Sequence, residues 1–254
     1  MAHNVVIPTA YGQMIVNRNA SEFDNLAKYG FSVDHRSIEV YAALIACTGH
    51  DPLILDVGAC FGCFSLGFAS MLADLKPKII AFEPQEWLAN CIAGSIALND
   101  LENVMVVNAA VGGVPGIATL PRLDYRQEAS FGSLPLEECE SPTKFEWLNQ
   151  QPHGSVPVDI VSIDSLGVKP RAIKIDTEGM EREVLLGAAN TIVRCRPVIF
   201  AEHTKGDRPA MIELLTNWDY ETWNNECDIV AIPAERRHFF PEIKEVLKEK
   251  PVNA

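Results

Sequence analysis

The feature that most constrains the fold is an alternation between short apolar runs and amphipathic helical segments, which begins at Pro52. The apolar runs have the length of buried strands, and the predicted helices that separate them are 64–75, 86–98, 181–193 and 209–217. This alternation predicts an α/β fold in which helices cover both faces of a mostly parallel sheet. The predicted strands are 53–55, 78–82, 104–107, 173–175 and 197–201, followed by an antiparallel pair at 220–223 and 229–232.

Two stretches depart from this alternation. Residues 1–50 combine short extended pieces with one predicted helix, and we predict that they form a cap on the substrate side of the main domain, residues 51–254. Residues 113–168 are rich in Pro, Gly and Ser and contain one extended piece at 156–161. We predict that this second stretch is an insertion near the active site, with the small residues around Gly132 close to a ligand.

The composition argues against several kinds of partner. Lys and Arg number 21 and Asp and Glu 34, a net charge of −13, which repels nucleic-acid phosphates. Glycine and proline interrupt the longest uncharged runs, and the N-terminus does not resemble a signal peptide, so we expect no membrane partner. Seven scattered cysteines favour a reducing compartment and a cytoplasmic protein. The oligomeric state stays open, and a homo-oligomer is compatible with the sequence.

Polar residues gather where the predicted parallel strands end. Open parallel sheets bind their ligands beyond the carboxyl ends of the strands, so these residues are candidates for a site. They are Asp56, Glu83, Asn108, Asp176, Glu178, Glu202 and His203.

The loop after the first predicted strand indicates the kind of ligand. Gly58 and Gly62 permit a tight turn and a close approach of the backbone to a ligand. A dinucleotide fingerprint also needs glycine at positions 60 and 63, where this chain has cysteine. The spacing Asp-x-Gly-x-x-x-Gly suits S-adenosylmethionine instead, with Asp56 near the ammonium group of its amino-acid tail. We interpret Cys60 and Cys63 as small apolar residues of this loop.

Glu83 follows the second predicted strand, in register with the glycine loop. At this position its two carboxylate oxygens can accept hydrogen bonds from both hydroxyls of a ribose. The remaining predicted cofactor-binding residues are Ala59, Cys60, Phe61, Phe64, Pro84, Asn108 and Ala109.

Several of these motifs, in the same order, resemble those of FkbM-type S-adenosylmethionine-dependent methyltransferases. The similar segments are 55–62, 81–84, 109–112, 174–181 and 197–202, of which 174–181 is the most specific. The resemblance implies a class I methyltransferase (Rossmann-like) fold with a seven-stranded, mostly parallel sheet, and methyl transfer that usually acts on oxygen. Cys60 replaces an Asn that is common in the family, and Cys63 replaces a frequent aromatic residue.

Four side chains are predicted to carry the chemistry. The two-residue period of a strand places Lys174, Asp176 and Glu178 on one face. We predict that Asp176 and Glu178 lie at the methyl group and that Glu202 and His203, on the neighbouring strand, lie close by. The structural alternative is that Lys174 and the two acids form a buried ion cluster that stabilises the end of the strand.

The transfer of a methyl group to an alcohol needs a base or a metal ion, because an alcohol holds its proton tightly at neutral pH. His203 is one candidate base, since imidazole titrates near neutrality. Asp176, Glu178, Glu202 and His203 could instead bind a divalent ion such as Mg²⁺, although their spacing is not a metal motif.

The sequence therefore predicts methyl transfer from S-adenosylmethionine to a hydroxyl of a small molecule or sugar. One alternative is N-methylation of a nucleic-acid base, but that chemistry commonly uses an Asp/Asn-Pro-Pro-aromatic loop, where this chain has Asp-Thr-Glu-Gly at 176–179. A second alternative is a non-catalytic, cofactor-binding partner subunit. Such a subunit would lose Asp176 and Glu178, and this chain retains both.

Overall fold

The computed structural model describes residues 3–134 and 154–239. Its largest element is a seven-stranded sheet. The strands are β3 (Leu53–Val57), β4 (Lys78–Phe82), β5 (Val104–Val107), β9 (Ala172–Ile175), β10 (Val198–Glu202), β11 (Tyr220–Asn225) and β12 (Asp228–Pro233). Their order in the sheet is β11-β12-β10-β9-β3-β4-β5. The neighbours among β10, β9, β3, β4 and β5 pair in parallel, whereas β12 is antiparallel to both β10 and β11.

The mostly parallel α/β sheet that the sequence predicts is confirmed, and its strands are buried as a two-sided sheet requires. All four residues of β9 are buried. Alternate residues of each strand enter different cores: Ile54 packs with one cluster and Leu55 with another. The first core includes residues of α2 (His35–Ala46), α3 (Cys63–Met71) and α4 (Glu86–Leu98), and the second includes residues of α5 (Glu181–Leu186), α6 (Ala189–Cys195) and α7 (Arg208–Asn217).

The helix predicted at 181–193 is wrong as a single element, because the structure divides it into α5 and α6 around Gly187. A Cβ atom at Gly187 would lie 2.1 Å from the carbonyl oxygen of Gly112. The helix is interrupted here because the backbone at Gly187 packs directly on the backbone at Gly112. The helical periodicity of the sequence does not reveal such a contact.

The N-terminal region forms an antiparallel hairpin of β1 (Asn4–Thr9) and β2 (Gly12–Asn17), followed by α1 (Phe23–Tyr29). Hydrogen bonds hold the hairpin on α4: the Ile15 N–H donates to Ser95 Oγ at 2.9 Å, and the Gln13 N–H donates to Asn99 Oδ1 at 2.8 Å. These hydrogen bonds fix the hairpin against α4. The sequence did not predict α1.

The stretch predicted as an insertion contributes to a second, three-stranded sheet with the order β6-β8-β7. The strands are β6 (Ala110–Val111), β7 (Gly116–Pro121) and β8 (Ser155–Val161). The extended piece predicted at 156–161 corresponds to β8. Residues 135–153 of the predicted insertion lie outside the described residues. Within the described ranges, we find no helix with the length and apolarity that a membrane crossing requires.

Candidate functional site

A cleft opens at the carboxyl ends of β3, β4 and β9 and encloses about 1000 Å³, including its mouth. The predicted site residues that line it are Gly58, Ala59, Cys60, Phe61, Phe64, Glu83, Pro84, Ala109, Asp176 and Glu178. Five further predicted residues are not among the described residues that line it: Asp56, Gly62, Asn108, Glu202 and His203.

The turn after β3 depends on Gly58. This residue has a φ of +78°, and a Cβ atom placed on it would lie 1.7 Å from the carbonyl oxygen of Asp176. The ends of β3 and β9 therefore touch through their main chains, with no room for a side chain. Gly62, with a φ of +84°, ends the turn and precedes α3. Gly62 therefore allows the backbone to turn into α3 and does not line the cleft.

Glu83 lies directly after β4 and is only 3% exposed. Its Oε1 accepts the N–H of Gln85 and its Oε2 accepts the N–H of Cys60, both at 2.9 Å. These two bonds fix the carboxylate at the wall of the cleft and connect the β4 turn to the glycine turn. Asn108 supports the same turn from outside the cleft, because its Nδ2 donates to the carbonyl oxygens of Glu83 and Pro84.

Three carboxyl groups in and beside the cleft resist ionisation. Burial raises the pKa of Glu83 to about 8, against the opposing effect of its two backbone hydrogen bonds. Burial and the nearby Asp176 raise the pKa of Glu202 to about 8 and that of Glu178 to about 7. A carboxyl group in an unfolded chain titrates near pH ~4.3.

Because these pKa values are higher in the folded than in the unfolded chain, the folded protein binds more protons between about pH 5 and about pH 8. We therefore expect the free energy of unfolding to fall as the pH rises through this window, by at most about 1.4 kcal/mol per pH unit for Glu83 alone. Chemical denaturation at several pH values tests this. Glu83→Gln should have a shallower slope than the wild type, and Glu86→Gln, at an exposed glutamate, the wild-type slope. Equal slopes for Glu83→Gln and wild type would contradict the expectation.

Lys174 organises the ends of β3 and β9. Its Nζ donates to the carbonyl oxygen of Gly58 at 2.9 Å and forms ion pairs at 3.4 Å with Asp56 and with Asp176. Burial alone would lower the pKa of Lys174, but the two carboxylates raise it above its ordinary value. Asp56 is fully buried and also accepts a 2.6 Å hydrogen bond from Ser65 Oγ. Asp56 therefore contacts Lys174, while Asp176 reaches the cleft.

Glu178 lies in the turn that follows β9, which ends at Ile175. Its backbone has a φ of +62°, and its side chain forms an ion pair with Lys205. The turn is stabilised by Glu181, whose Oε1 accepts the N–H groups of Thr177 and Gly179. Lys174 and Asp176 contact each other, as expected for residues of one face, and Glu178 lines the same cleft from the turn.

The structure does not bring Glu202 and His203 into the cleft with Asp176 and Glu178. Glu202 is the last residue of β10 and pairs in register with Asp228, and the N–H of His203 donates to the Cys227 carbonyl oxygen at 3.0 Å. Glu202 and His203 thus continue the antiparallel pairing of β10 with β12 and lie outside the cleft. Within the described part of the chain, no three His, Cys, Asp or Glu side chains form a group that could hold a metal ion.

Sequence reasoning missed three residues of the N-terminal region that line the cleft: Glu22, Ser32 and Asp34. Ser32 Oγ donates to Asp34 Oδ2 at 3.2 Å, and Glu22 Oε1 lies 4.0 Å from Cys60 Sγ. Burial raises the pKa of both carboxyl groups. Their distance along the chain from the glycine loop left no motif by which they could be found.

The family of the chain is clear from a match to a family model. The model of the methyltransferase FkbM domain matches residues 56–249, and the chain belongs to this family. This confirms the resemblance drawn from the motifs. No curated protein matches the chain significantly.

Solved structures of methyltransferases are similar to this chain at low identity. The methyltransferase FkbM from Methylobacillus flagellatus KT has 16% identity and a TM-score of 0.47, over 72% of this chain and 43% of that chain. This chain thus covers less than half of that relative. The M. jannaschii tRNA m1G37 methyltransferase has 16% identity and a TM-score of 0.44, over 91% and 56%. The Pyrococcus abyssi tRNA (uracil-54, C5)-methyltransferase, in complex with S-adenosyl-L-homocysteine, has 10% identity and a TM-score of 0.44, over 91% and 44%.

Proposed function

We propose that this chain is a class I methyltransferase that binds S-adenosylmethionine in the cleft. The observation that carries the proposal is Glu83, a buried carboxylate fixed by two backbone N–H groups beside the glycine turn. The sheet order, with β12 antiparallel between β10 and β11, supports the class I assignment.

The residues present fit this cofactor. Gly58 lines the cleft, and its lack of a side chain lets the turn pack directly on the main chain of Asp176. Glu83 would hold the ribose hydroxyls, and Pro84 and Ala109 would supply apolar contacts for the base. When bound, S-adenosylmethionine supplies a methyl group that is activated by its attachment to a sulfonium.

We propose that the acceptor is a hydroxyl of a small molecule or a sugar. Four carboxyl side chains line the cleft, from Glu22, Asp34, Asp176 and Glu178, in addition to Glu83. Lys174 is the one Lys or Arg among the described residues that line it. A wall with several carboxyl groups and a single cation offers no basic surface to phosphates, which supports a small acceptor over a nucleic acid. Ser32 and Asp34 support a role for residues 1–50 as a cap on the acceptor side.

The proton of the acceptor hydroxyl must pass to a side chain, because an alcohol does not ionise at neutral pH. Asp176 and Glu178 both line the cleft, and the side chain of Asp176 is 37% exposed there. We assign the proton acceptor to this pair. Glu202 and His203 are not among the residues that line the cleft, and burial and Arg208 lower the pKa of His203.

Neutralising either acid is expected to reduce turnover more than cofactor binding. Asp176→Asn or Glu178→Gln removes a proton acceptor, so kcat should fall by about 10²-fold or more, while any loss of affinity for S-adenosylmethionine should be much smaller. The melting temperature of each variant should be measured beside kcat. A variant that melts early and yet keeps full turnover per folded molecule would mean that the acids only stabilise the strand end.

The function is tested by methyl transfer from labelled S-adenosylmethionine into two pools, small metabolites and total RNA. We expect label in a small molecule, with mass analysis locating the new methyl group on oxygen. Label in RNA alone would favour base N-methylation. Binding of S-adenosylmethionine without transfer to either pool would favour a non-catalytic subunit. Heat-denatured protein is the control for non-enzymatic methylation.

A further inference from the structure

We propose that Lys174 is a positioning residue that couples the Asp176 carboxylate to the Gly58 turn. The inference rests on the proposed function, because it gives Lys174 a role in cofactor binding as well as in the stability of the sheet. Lys174 does not act on the acceptor in this account. Because Lys174 contacts both groups, a change in the charge or position of the Asp176 carboxylate alters the backbone at Gly58, which binds the cofactor.

The contacts of the Lys174 ammonium group reach three parts of the site. Nζ donates to the Gly58 carbonyl oxygen at 2.9 Å, and it lies 3.4 Å from both Asp56 Oδ1 and Asp176 Oδ2. The residue is 5% exposed, and Nζ lies 4.8 Å above the ring of Phe64. A buried ammonium group depends on such partners, so the loss of one changes its hold on the others.

The two carboxylates differ in their freedom to move. Asp56 is the cross-strand partner of Lys174 in the β3–β9 pairing, it is fully buried, and Ser65 also fixes it. The side chain of Asp176 is 37% exposed and lies in the wall of the cleft. Asp176 is therefore the partner that can respond to a ligand or a proton, and Lys174 connects that response to Gly58.

A purely structural ion cluster makes a different prediction. If Lys174 only stabilises the sheet, removing it lowers the melting temperature and leaves unchanged the effect of Asp176 on ligand binding. If Lys174 couples the two, the effect of Asp176→Asn on binding depends on the presence of the lysine. Non-additivity in a mutant cycle separates the two cases.

The cycle neutralises Asp56 and Lys174 together, because removing either one alone would leave a buried charge with fewer partners. The four proteins are the wild type and Asp56→Asn/Lys174→Met, each with and without Asp176→Asn. Lys174 therefore keeps Asp56 as a partner in every protein that contains it. The measurement is the Kd of S-adenosylhomocysteine by calorimetry, with the melting temperature of each protein. In a control cycle, Lys78→Gln replaces the double variant, since Lys78 is exposed at the opposite end of β4.

We expect Asp176→Asn to weaken binding by about fivefold or more when Lys174 is present and less than about twofold when it is absent. The control cycle should keep the larger effect. An equal effect with and without Lys174, or none in either, would overturn the inference in proteins that bind S-adenosylhomocysteine. A wild-type protein that does not bind this ligand would instead reject the proposed function, and the inference with it.

Discussion

Replacing Gly58 with alanine is expected to abolish cofactor binding and to lower the free energy of unfolding by about 2–5 kcal/mol. The new methyl group would lie 1.7 Å from the Asp176 carbonyl oxygen, and the residue would have to keep a φ of +78°. The contact atom belongs to the main chain, so no side chain can rotate away. The ends of β3 and β9 must separate, which opens the turn that the cofactor needs. Denaturation and calorimetry with S-adenosylhomocysteine measure the two effects.

Gly30→Ala is the matched control for this variant. Gly30 has a φ of +77°, almost the same as Gly58, but a Cβ atom there would have no other heavy atom within 4 Å. Gly30→Ala should lower the free energy of unfolding only by the backbone strain, about 1–2 kcal/mol, and should leave binding of the ligand unchanged. If the two variants lose the same stability and bind equally well, the clash at Gly58 is not what shapes the turn.

Changing Glu83 to glutamine is expected to weaken cofactor binding by about 10- to 100-fold, equivalent to about 1.5–3 kcal/mol. The carboxylate already accepts the N–H groups of Cys60 and Gln85, one on each oxygen. The amide of glutamine has only one oxygen, so its NH₂ group would face one of the two backbone N–H donors. The side chain would then rotate out of the position in which it binds the ribose hydroxyls. Glu83→Ala should bind more weakly still, because both hydrogen bonds to the cofactor are lost.

The control for Glu83 is Glu86→Gln, an exposed glutamate at the first residue of α4. This variant makes the same chemical change, from carboxyl to amide, and should bind S-adenosylhomocysteine as the wild type does. The two proteins therefore separate a local hydrogen-bonding effect from a change in the overall field. A Glu83→Gln protein with wild-type affinity would remove Glu83 from the cofactor site.

The sequence was most informative where local pattern and tertiary structure agree. All seven strands of the main sheet were predicted, since a strand buried on both faces reads as a nearly continuous apolar run, as β10 does from Val198 to Ala201. Glu83 was found for a related reason: its place directly after such a run sets its position at the sheet edge. Gly58 was found because a tight turn after a strand needs glycine.

The features that the sequence did not predict depend on contacts between distant segments. The break at Gly187 exists because the Gly112 backbone packs against it. Asp34 reaches the cleft from the N-terminal region, far from any motif of the main domain. Glu202 and His203 follow the strand beside Asp176, but antiparallel pairing with β12 carries them past the cleft.

A calorimetric titration of the wild-type chain with S-adenosylhomocysteine, S-adenosylmethionine and NAD tests most directly whether the cleft binds S-adenosylmethionine. We expect one site per chain for the first two ligands, no heat with NAD, and loss of the site in Gly58→Ala but not in Gly30→Ala. No heat with either S-adenosyl ligand, together with binding of NAD, would contradict it.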